Sequence, residues 1–504
     1  MKGKVFIVGA GPGDPGLITV KGLECLKRAE VVIYDRLIDE SLLENAPPDA
    51  ELIYVGKSAK VHAREQDDIN RLLVEKASEG KTVVRLKGGD PFVLGRGGEE
   101  CEALSEAGIG YEVLPGISSA IASPAYAGIP VTHRQVASSF AVITGHEDPS
   151  KEISSINWEH LSTGVDSLVF LMGMGNLPLI CQKLIENGRS PKTPVALVRR
   201  GTTLQQQTLT GNLATIERKA KEADFQPPVA IIVGEVVDLR EKLKWFENQP
   251  LFGKRILVTR SRTQASSISK LLIERGAQPI ELPTIEIRPV PDPSAIDQAI
   301  DNLPGFDWVV FTSANGVESF WERLVTVGKD ARQFGSTRIG AIGPATAHVL
   351  EEHGIYPDFM PDEYTSEAII AGLAQRDVSG CRILLPRADI APQYLTDGLV
   401  SLGAEPVEVT AYQTKPPADL ANKVKNTLKK GQIDVVTFAS SSTVTNLINA
   451  LGDDRELLRS MKIACIGPVT AATAREAGLK VDIMAQEQTI PGLVAAIEEA
   501  YRNG

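Results

Sequence analysis

Val8-Gly9-Ala10-Gly11-Pro12-Gly13-Asp14-Pro15-Gly16 is the stretch whose reading decides the fold of the first half of the chain. The apolar run 5–8 leads into it as a strand, a helical stretch follows to about Ala29, and 31–34 reads as a second strand. With Asp35 closing that second strand, the layout has the outline of a dinucleotide-binding β-loop-α-β unit. The third glycine of such a turn is missing. Asp14 stands in its place, where its carboxylate is expected to face the site of a pyrophosphate, and Pro12 lacks one of the amide donors that a phosphate needs. The turn therefore suits a ligand without phosphate. In isolation it is equally a glycine-rich corner that binds nothing.

A second strand end has the same character. The strand run 82–86 leads into Arg85-Leu86-Lys87-Gly88-Gly89-Asp90-Pro91-Phe92 and on to Gly95-Arg96-Gly97-Gly98-Glu99-Glu100, and open α/β sheets bind ligands at such carboxyl ends. Farther on stand Pro115-Gly116-Ile117-Ser118-Ser119-Ala120 and Ala127-Gly128-Ile129-Pro130-Val131-Thr132-His133-Arg134. Together VGAGPGDPGLIT, YDRL, VGKSA, RLKGGDPFVLGRGGEE, PGISSA, AGIPVTHR and FLMGMGN resemble the tetrapyrrole methylase family, and within it the uroporphyrinogen-III C-methyltransferases, over about residues 1–245. The resemblance implies two α/β lobes, about 1–129 and 130–245, with S-adenosylmethionine between them. Strand runs at 141–144, 168–171, 195–198 and 230–233 would supply the second sheet.

The same resemblance assigns cofactor contacts to Pro12, Gly88, Gly89, Asp90, Val93, Ser118, Ser119, Met172 and Gly201. Ser118-Ser119 stand where the family often has Thr-Ala, so contact there would run mainly through the backbone. Asp35 is implied as proton acceptor and Lys57 as proton donor for two carbon methylations that convert uroporphyrinogen III to precorrin-2. A substrate rich in carboxylates suits guanidinium forks, and Arg36, Arg85, Arg96 and Arg134 are the candidates in the motif loops. Without the family, each of these would be an ordinary surface or strand-end residue.

The mixed, charged stretch 240–250 precedes a new strand in Gly253-Lys254-Arg255-Ile256-Leu257-Val258, so 246–252 reads as a linker. From Gly253 onward the chain carries an internal duplication. GKRILVTR from Gly253 matches GCRILLPR from Gly380, and DWVVFTSANGVESF from Asp307 matches DVVTFASSSTVTNL from Asp434, both 127 residues apart. IGPATA from Ile342 matches IGPVTA from Ile466, and Thr365 matches Thr489, at a spacing of 124. So small a drift implies two similar α/β units. Each carries a strand ending in hydroxyl residues, Thr312-Ser313 and Ser440-Ser441, and a Gly-Pro-x-Thr turn at Gly343 and Gly467. Hydroxyls cap orphan amides, and proline at the first helical position forfeits no hydrogen bond, so both features read as helix starts whose amides suit anions. Taken singly, each is simply a good cap.

The ordered series ILVTR, VVFTSANGV, IGPATA, LLPR, AYQT, TFASSSTV, IGPVTA and a late threonine resembles uroporphyrinogen-III synthase over residues 253–504. This implies flavodoxin-like parallel-sheet lobes, about 253–285 plus 415–504 and 286–412, joined by two extended strands. It also implies cyclisation of hydroxymethylbilane with inversion of its last ring, without a cofactor. Tyr412 would assist departure of hydroxide, and Thr312, Ser313, Ser440, Ser441 and Thr489 would meet carboxylates. The expected fold class is α/β throughout, a two-lobed methylase unit followed by a two-lobed synthase unit.

Bulk properties agree with several cores in one chain, since 504 residues exceed what a single core organises. A net charge of −11 disfavours nucleic acid as a partner, because that binding needs a basic face. No apolar run approaches the roughly 20 residues of a membrane span. Five scattered cysteines and six histidines show no metal-ligand spacing, which implies reduced thiols, a cytoplasmic protein and no metal. The resemblance implies tetrapyrrole substrates and a homodimer through the first half. With no third unit in view, neither oxidation to sirohydrochlorin nor iron insertion is expected. The competing reading is an NAD-dependent oxidoreductase, resting on Gly9, Gly11 and Asp35, fused to a bilobed tetrapyrrole-binding module.

Overall fold

The computed structural model describes residues 3–56, 66–146, 156–260, 262–430 and 433–502, and Lys57 lies outside them. The chain divides into two compact units: one runs to Lys254 and includes the short segment Leu272–Gln278, and the other holds the remainder from Arg255 onward. Four five-stranded sheets organise them, two in each.

In the first sheet β1 (Lys4–Gly9), β2 (Val31–Tyr34), β3 (Glu51–Tyr54), β4 (Val83–Lys87) and β5 (Gly110–Leu114) lie in the order β3-β2-β4-β1-β5. Every pairing is parallel. Parallel sheets are covered on both faces, which is why these strands are nearly continuous apolar runs. Val5, Ile7, Val31, Ile33 and Val83 fill one face, and Val8, Val32, Val84 and Leu86 the other. Arg85 and Lys87 break the run on β4, and both are nevertheless buried.

The second sheet comprises β6 (Phe140–Thr144), β7 (Ser167–Leu171), β8 (Pro194–Arg199), β9 (Gln207–Asn212) and β10 (Val229–Val233), ordered β6-β7-β10-β8-β9. Only β6 and β7 are parallel; β10 runs antiparallel between β7 and β8, and β9 closes the edge antiparallel to β8. The stretch read as a linker is packed onto this unit instead. Phe246 is buried against Tyr126 and Phe252, and Glu247 Oε1 accepts from Gln206 Nε2 at 2.8 Å and Thr208 Oγ1 at 2.6 Å. Arg240 pairs with the other oxygen of Glu247. Burial of one aromatic ring in this way contributes roughly 1.5–3 kcal/mol, enough to hold a short segment down.

The second unit begins with β11 (Arg255–Val258) and β12 (Gln278–Glu281). It then passes into β13 (Glu286–Pro289), β14 (Trp308–Phe311), β15 (Arg338–Ala341), β16 (Arg382–Ala388) and β17 (Glu405–Lys415), and returns with β18 (Val435–Phe438), β19 (Lys462–Cys465) and β20 (Val481–Met484). One sheet has the order β12-β11-β18-β19-β20, the 2-1-3-4-5 arrangement of flavodoxin-like sheets. The other has the order β13-β17-β16-β14-β15. Counted from β14 it repeats that arrangement, with β13 in fifth place and antiparallel to β17. Among the described residues no helix is long and apolar enough to cross a membrane.

Candidate active sites

Three strand ends of the first sheet converge through their glycines. A Cβ on Gly116 would lie 2.3 Å from the carbonyl oxygen of Gly89 and 2.7 Å from Gly9 Cα, so the loops after β1, β4 and β5 meet backbone to backbone. Asp90 ties the β4 and β5 loops together: its Oδ1 accepts from the amides of Phe92 and Val93 at 2.8 and 3.0 Å, and its Oδ2 from Gly116 at 3.0 Å. Asp14 is likewise satisfied within the protein, which corrects the expectation that its carboxylate faces a ligand. Oδ1 caps Gly16 and Oδ2 accepts from the Tyr126 hydroxyl at 2.7 Å. Burial first, and then that bond, push the Tyr126 phenol far above its usual range.

Above this convergence a cleft of roughly 720 Å³ opens between the two lobes of the unit. All nine residues expected to hold cofactor line it: Pro12, Gly88, Gly89, Asp90, Val93, Ser118, Ser119, Met172 and Gly201. Ser118 spends its hydroxyl capping the amide of Ala120 at 3.2 Å, consistent with a backbone role for this pair. At Gly201 a Cβ would meet Ser123 Oγ at 2.3 Å, so only glycine lets this loop approach. Met172 holds a left-handed backbone, as do Leu94 and Arg200 beside it in the same wall. Side chains in that region cost about 1–3 kcal/mol each and collect where a ligand site demands them. Leu171, Val198, Val229 and Ala230 make the floor apolar, and Pro12 offers no amide, so the lining fits an adenosyl thioether better than a pyrophosphate. The glycine turn itself, with no amide at Pro12 and the Asp14 carboxylate in place, offers the oxidoreductase reading no pyrophosphate cradle.

The four arginines part company. Arg36 lines the cleft. Arg96 stands exposed and is paired with Glu99, and Arg134 is exposed and outside the cleft lining. Arg85 is not a free substrate ligand, because its guanidinium is fully engaged inside the protein. It donates to Asp35 Oδ2 at 3.2 Å, to Glu100 Oε1 at 3.1 Å and to the carbonyls of Ile33 and Leu86. Asp35, partly exposed, also accepts from the Gly88 amide at 3.4 Å, so the groove wall and the carboxylate are linked. Arg200 lines the cleft and was not foreseen; its signal lies in the VRRGTT stretch beside Gly201.

In the second unit the duplicated motifs are helix starts, as read. Ser313 Oγ caps Gly316 at 3.0 Å at the head of Ala314–Thr326, Ser440 forms a capping box with Thr443, and Pro344 and Pro468 open their helices. Thr489 caps Gly492 at 3.1 Å, as Thr365 caps Ala368. Ser441 Oγ accepts from Thr473 Oγ1 at 2.8 Å. Thr312 is half-buried beside Ser313 and does not cap. Tyr412 is buried on β17 and its hydroxyl lies 3.0 Å from Ser313 Oγ, which joins two of the expected residues. Burial raises the Tyr412 phenol, and the Ser313 bond opposes that rise. Opposite Arg387 and Ala388 of β16 the register shifts by an extra residue on β17, Ala411, which sets the pairing of Ala388 with Tyr412. Arg387, buried and paired with Glu408, was not foreseen, although it is the duplicate of Arg260.

Tetrapyrrole (Corrin/Porphyrin) Methylases match residues 4–217, and Uroporphyrinogen-III synthase HemD matches residues 266–495. The porphyrin biosynthesis protein HemD of Ruminiclostridium josui is 40% identical over 497 residues, covering 99% of this chain and 98% of that protein. The uroporphyrinogen-III C-methyltransferase of Priestia megaterium is 54% identical over 236 residues, 47% of this chain and 99% of that one. A Thermus thermophilus uroporphyrin-III C-methyl transferase solved with S-adenyl homocysteine is 40% identical over 47% of this chain and all of its own, with a TM-score of 0.41. Sequence and sites together define two α/β tetrapyrrole enzymes in one polypeptide. The chain belongs to the family in which a tetrapyrrole methylase is followed by a HemD uroporphyrinogen-III synthase domain.

Proposed function

We propose that the two units act in succession on one tetrapyrrole: the second cyclises hydroxymethylbilane to uroporphyrinogen III with its last ring inverted, and the first methylates that product at C2 and C7 to precorrin-2. The bifunctional assignment, synthase and S-adenosylmethionine-dependent C-methyltransferase, rests on the family. The observation that carries the methylase part is the single cleft lined by all nine expected cofactor residues. S-adenosylmethionine supplies the methyl group there, with sulfur keeping the electrons of the broken bond. Each new carbon–carbon bond must be balanced by loss of a proton from the macrocycle. Asp35 is the acceptor, held by Arg85 and the Gly88 amide, and Lys57 is the donor. Arg36 and Arg200 at the cleft offer guanidinium to carboxylate side chains of the substrate.

In the second unit the work is steering rather than bond polarisation. Ser313 and Tyr412 form a hydroxyl pair that can receive the departing hydroxide, and the helix starts at Thr312-Ser313, Ser440-Ser441 and Thr489 present amides to carboxylates. The protein works in the cytoplasm with five free cysteines, as a homodimer through its first unit. The test is an anaerobic assay of the purified chain with hydroxymethylbilane, with and without S-adenosylmethionine, tracking products by chromatography and mass. Isomer III alone in the first case, and a product two methyl groups heavier in the second, are expected. Isomer I would overturn the synthase assignment. No mass gain from supplied uroporphyrinogen III would overturn the methylase.

A further inference from the structure

Arg85 and Lys87 are two residues apart on β4 and project from the same face, towards the helix Gly97–Glu106. There Glu100 is completely buried. Arg85 Nε and Lys87 Nζ both donate to its Oε1, at 3.1 and 2.8 Å, and Gln66 Nε2 reaches the same oxygen at 3.4 Å. Its Oε2 is buried without a partner. The cluster thus holds two cations, Arg85 and Lys87, against two anions, Glu100 and Asp35. Of the four only Asp35 reaches solvent appreciably, at 28% exposure against 5% or less for the others.

Such a cluster is a weak source of stability, since apolar residues of the same size would pack there at least as well. Its charge count, however, acts directly on Asp35. Arg85 donates to Asp35, and Glu100 offsets one of the two cations at a distance where little solvent intervenes. Burial first, and then Arg85, push the Lys87 ammonium below its usual range, while Glu100 and Asp35 oppose them. Glu99 and Cys101 on the helix also feel Lys87.

We propose that Glu100 and Lys87, neither of which lines the cleft, are positioning residues for methyl transfer: Glu100 holds Arg85 against Asp35 and, balanced by Lys87, keeps the cluster neutral enough for Asp35 to accept a proton. This deepens the proton-acceptor reading of Asp35 and rests on it. One uncompensated positive charge would tie Asp35 to its ionised form and weaken it as a base. One uncompensated negative charge would do the opposite.

The experiment is the pH dependence of kcat for methylation of uroporphyrinogen III by the full chain, with calorimetric titration of S-adenosylmethionine. Glu100→Gln keeps the shape and adds one net positive charge. The acid limb of kcat should move about one pH unit lower and kcat should fall about tenfold. KM and cofactor affinity should stay unchanged, because Glu100 is fully buried and does not line the cleft. Adding Lys87→Met to Glu100→Gln restores the charge balance and should return the limb towards its original position. Lys87→Met alone should move it the other way. If Glu100→Gln does not fold, the double variant and Lys87→Met decide the matter. A limb that stays in place in these variants overturns the proposal. So does a double variant no closer to the wild type than Glu100→Gln. Asp35→Asn separates the two levels: retained kcat with an unchanged acid limb would overturn the reading of Asp35 itself, whereas loss of both leaves only the role of Glu100 and Lys87 in question.

Discussion

Gly116→Ala adds one carbon, and the structure fixes what that carbon meets. It would sit 2.3 Å from the Gly89 carbonyl oxygen, 2.7 Å from Gly9 Cα and 2.8 Å from Gly9 C, all backbone atoms of neighbouring loops. Ordinary contact begins near 3.4 Å, so the loops must separate by about 1 Å. Overpacking of this kind costs about 1–3 kcal/mol, and the upper part of that range applies because no flexible side chain can give way. For a unit of this size the midpoint should fall by about 4–12 °C. The displacement also pulls the Gly116 amide from Asp90 Oδ2, which organises the cleft wall, so cofactor affinity should drop about tenfold or more. Gly98→Ala is the matched control. Nothing lies within 4 Å of its added carbon and the residue is helical, so it should gain roughly 0.5–1 kcal/mol. Scanning calorimetry of the full chain reads both, the first unit's transition being the one that S-adenosylmethionine raises. Equal midpoints for the two variants, or an unweakened cofactor with Gly116→Ala, would refute the idea that these glycines are required by close backbone approach.

Tyr412→Phe should slow formation of isomer III on the order of 10–100-fold while costing at most about 1.5 kcal/mol of stability; a chromatographic rate assay beside a thermal melt separates the two. Ser440→Ala removes the capping box of Ser441–Leu451 and should cost about 1–2 kcal/mol of stability, read as a lower urea midpoint for the second unit, leaving the methylase rate unchanged. Asp166 accepts from the amides and hydroxyls of Ser138 and Ser139, the Ser138 amide first, and these bonds hold its carboxyl below the usual range. Because the folded value is depressed, its contribution is complete above the ordinary carboxylate range and is lost as pH falls through the folded value. Hydrogen-exchange protection of those two amides should track that course, and Asp166→Asn should abolish the acid sensitivity.

The fold was legible wherever burial on both faces left continuous apolar runs, as at Val31–Tyr34 and Val229–Val233, or where duplication made one half check the other. It was not legible in β9, whose QTLTGN is a polar edge strand that turn chemistry imitates. The residues expected to hold cofactor fall along one cleft because most of them sit in glycine-rich strand ends. Arg85 was misread for a physical reason: its partners, Asp35 and Glu100, come from separate elements, and nothing in RLKGGDP says that a guanidinium there faces inward. Asp14 was misread similarly, since the Tyr126 hydroxyl that satisfies it lies 112 residues away. Arg200 escaped because what brings it to the cleft is its left-handed backbone beside Gly201, which the VRRGTT stretch signals only through that glycine.

The antiparallel pairing of β13 with β17 gives the second unit a history during synthesis. Glu286 and Lys415 are cross-strand neighbours, so the lobe between them enters and leaves at one place and can close its own sheet as soon as β17 has emerged. The surrounding lobe cannot, because β11 pairs with β18, Ile256 with Val435, across nearly the whole insertion. At about 5–20 residues per second, its first two strands wait roughly 10–40 s for their partners. During that interval the apolar edge of β11 is what a ribosome-bound chaperone would encounter.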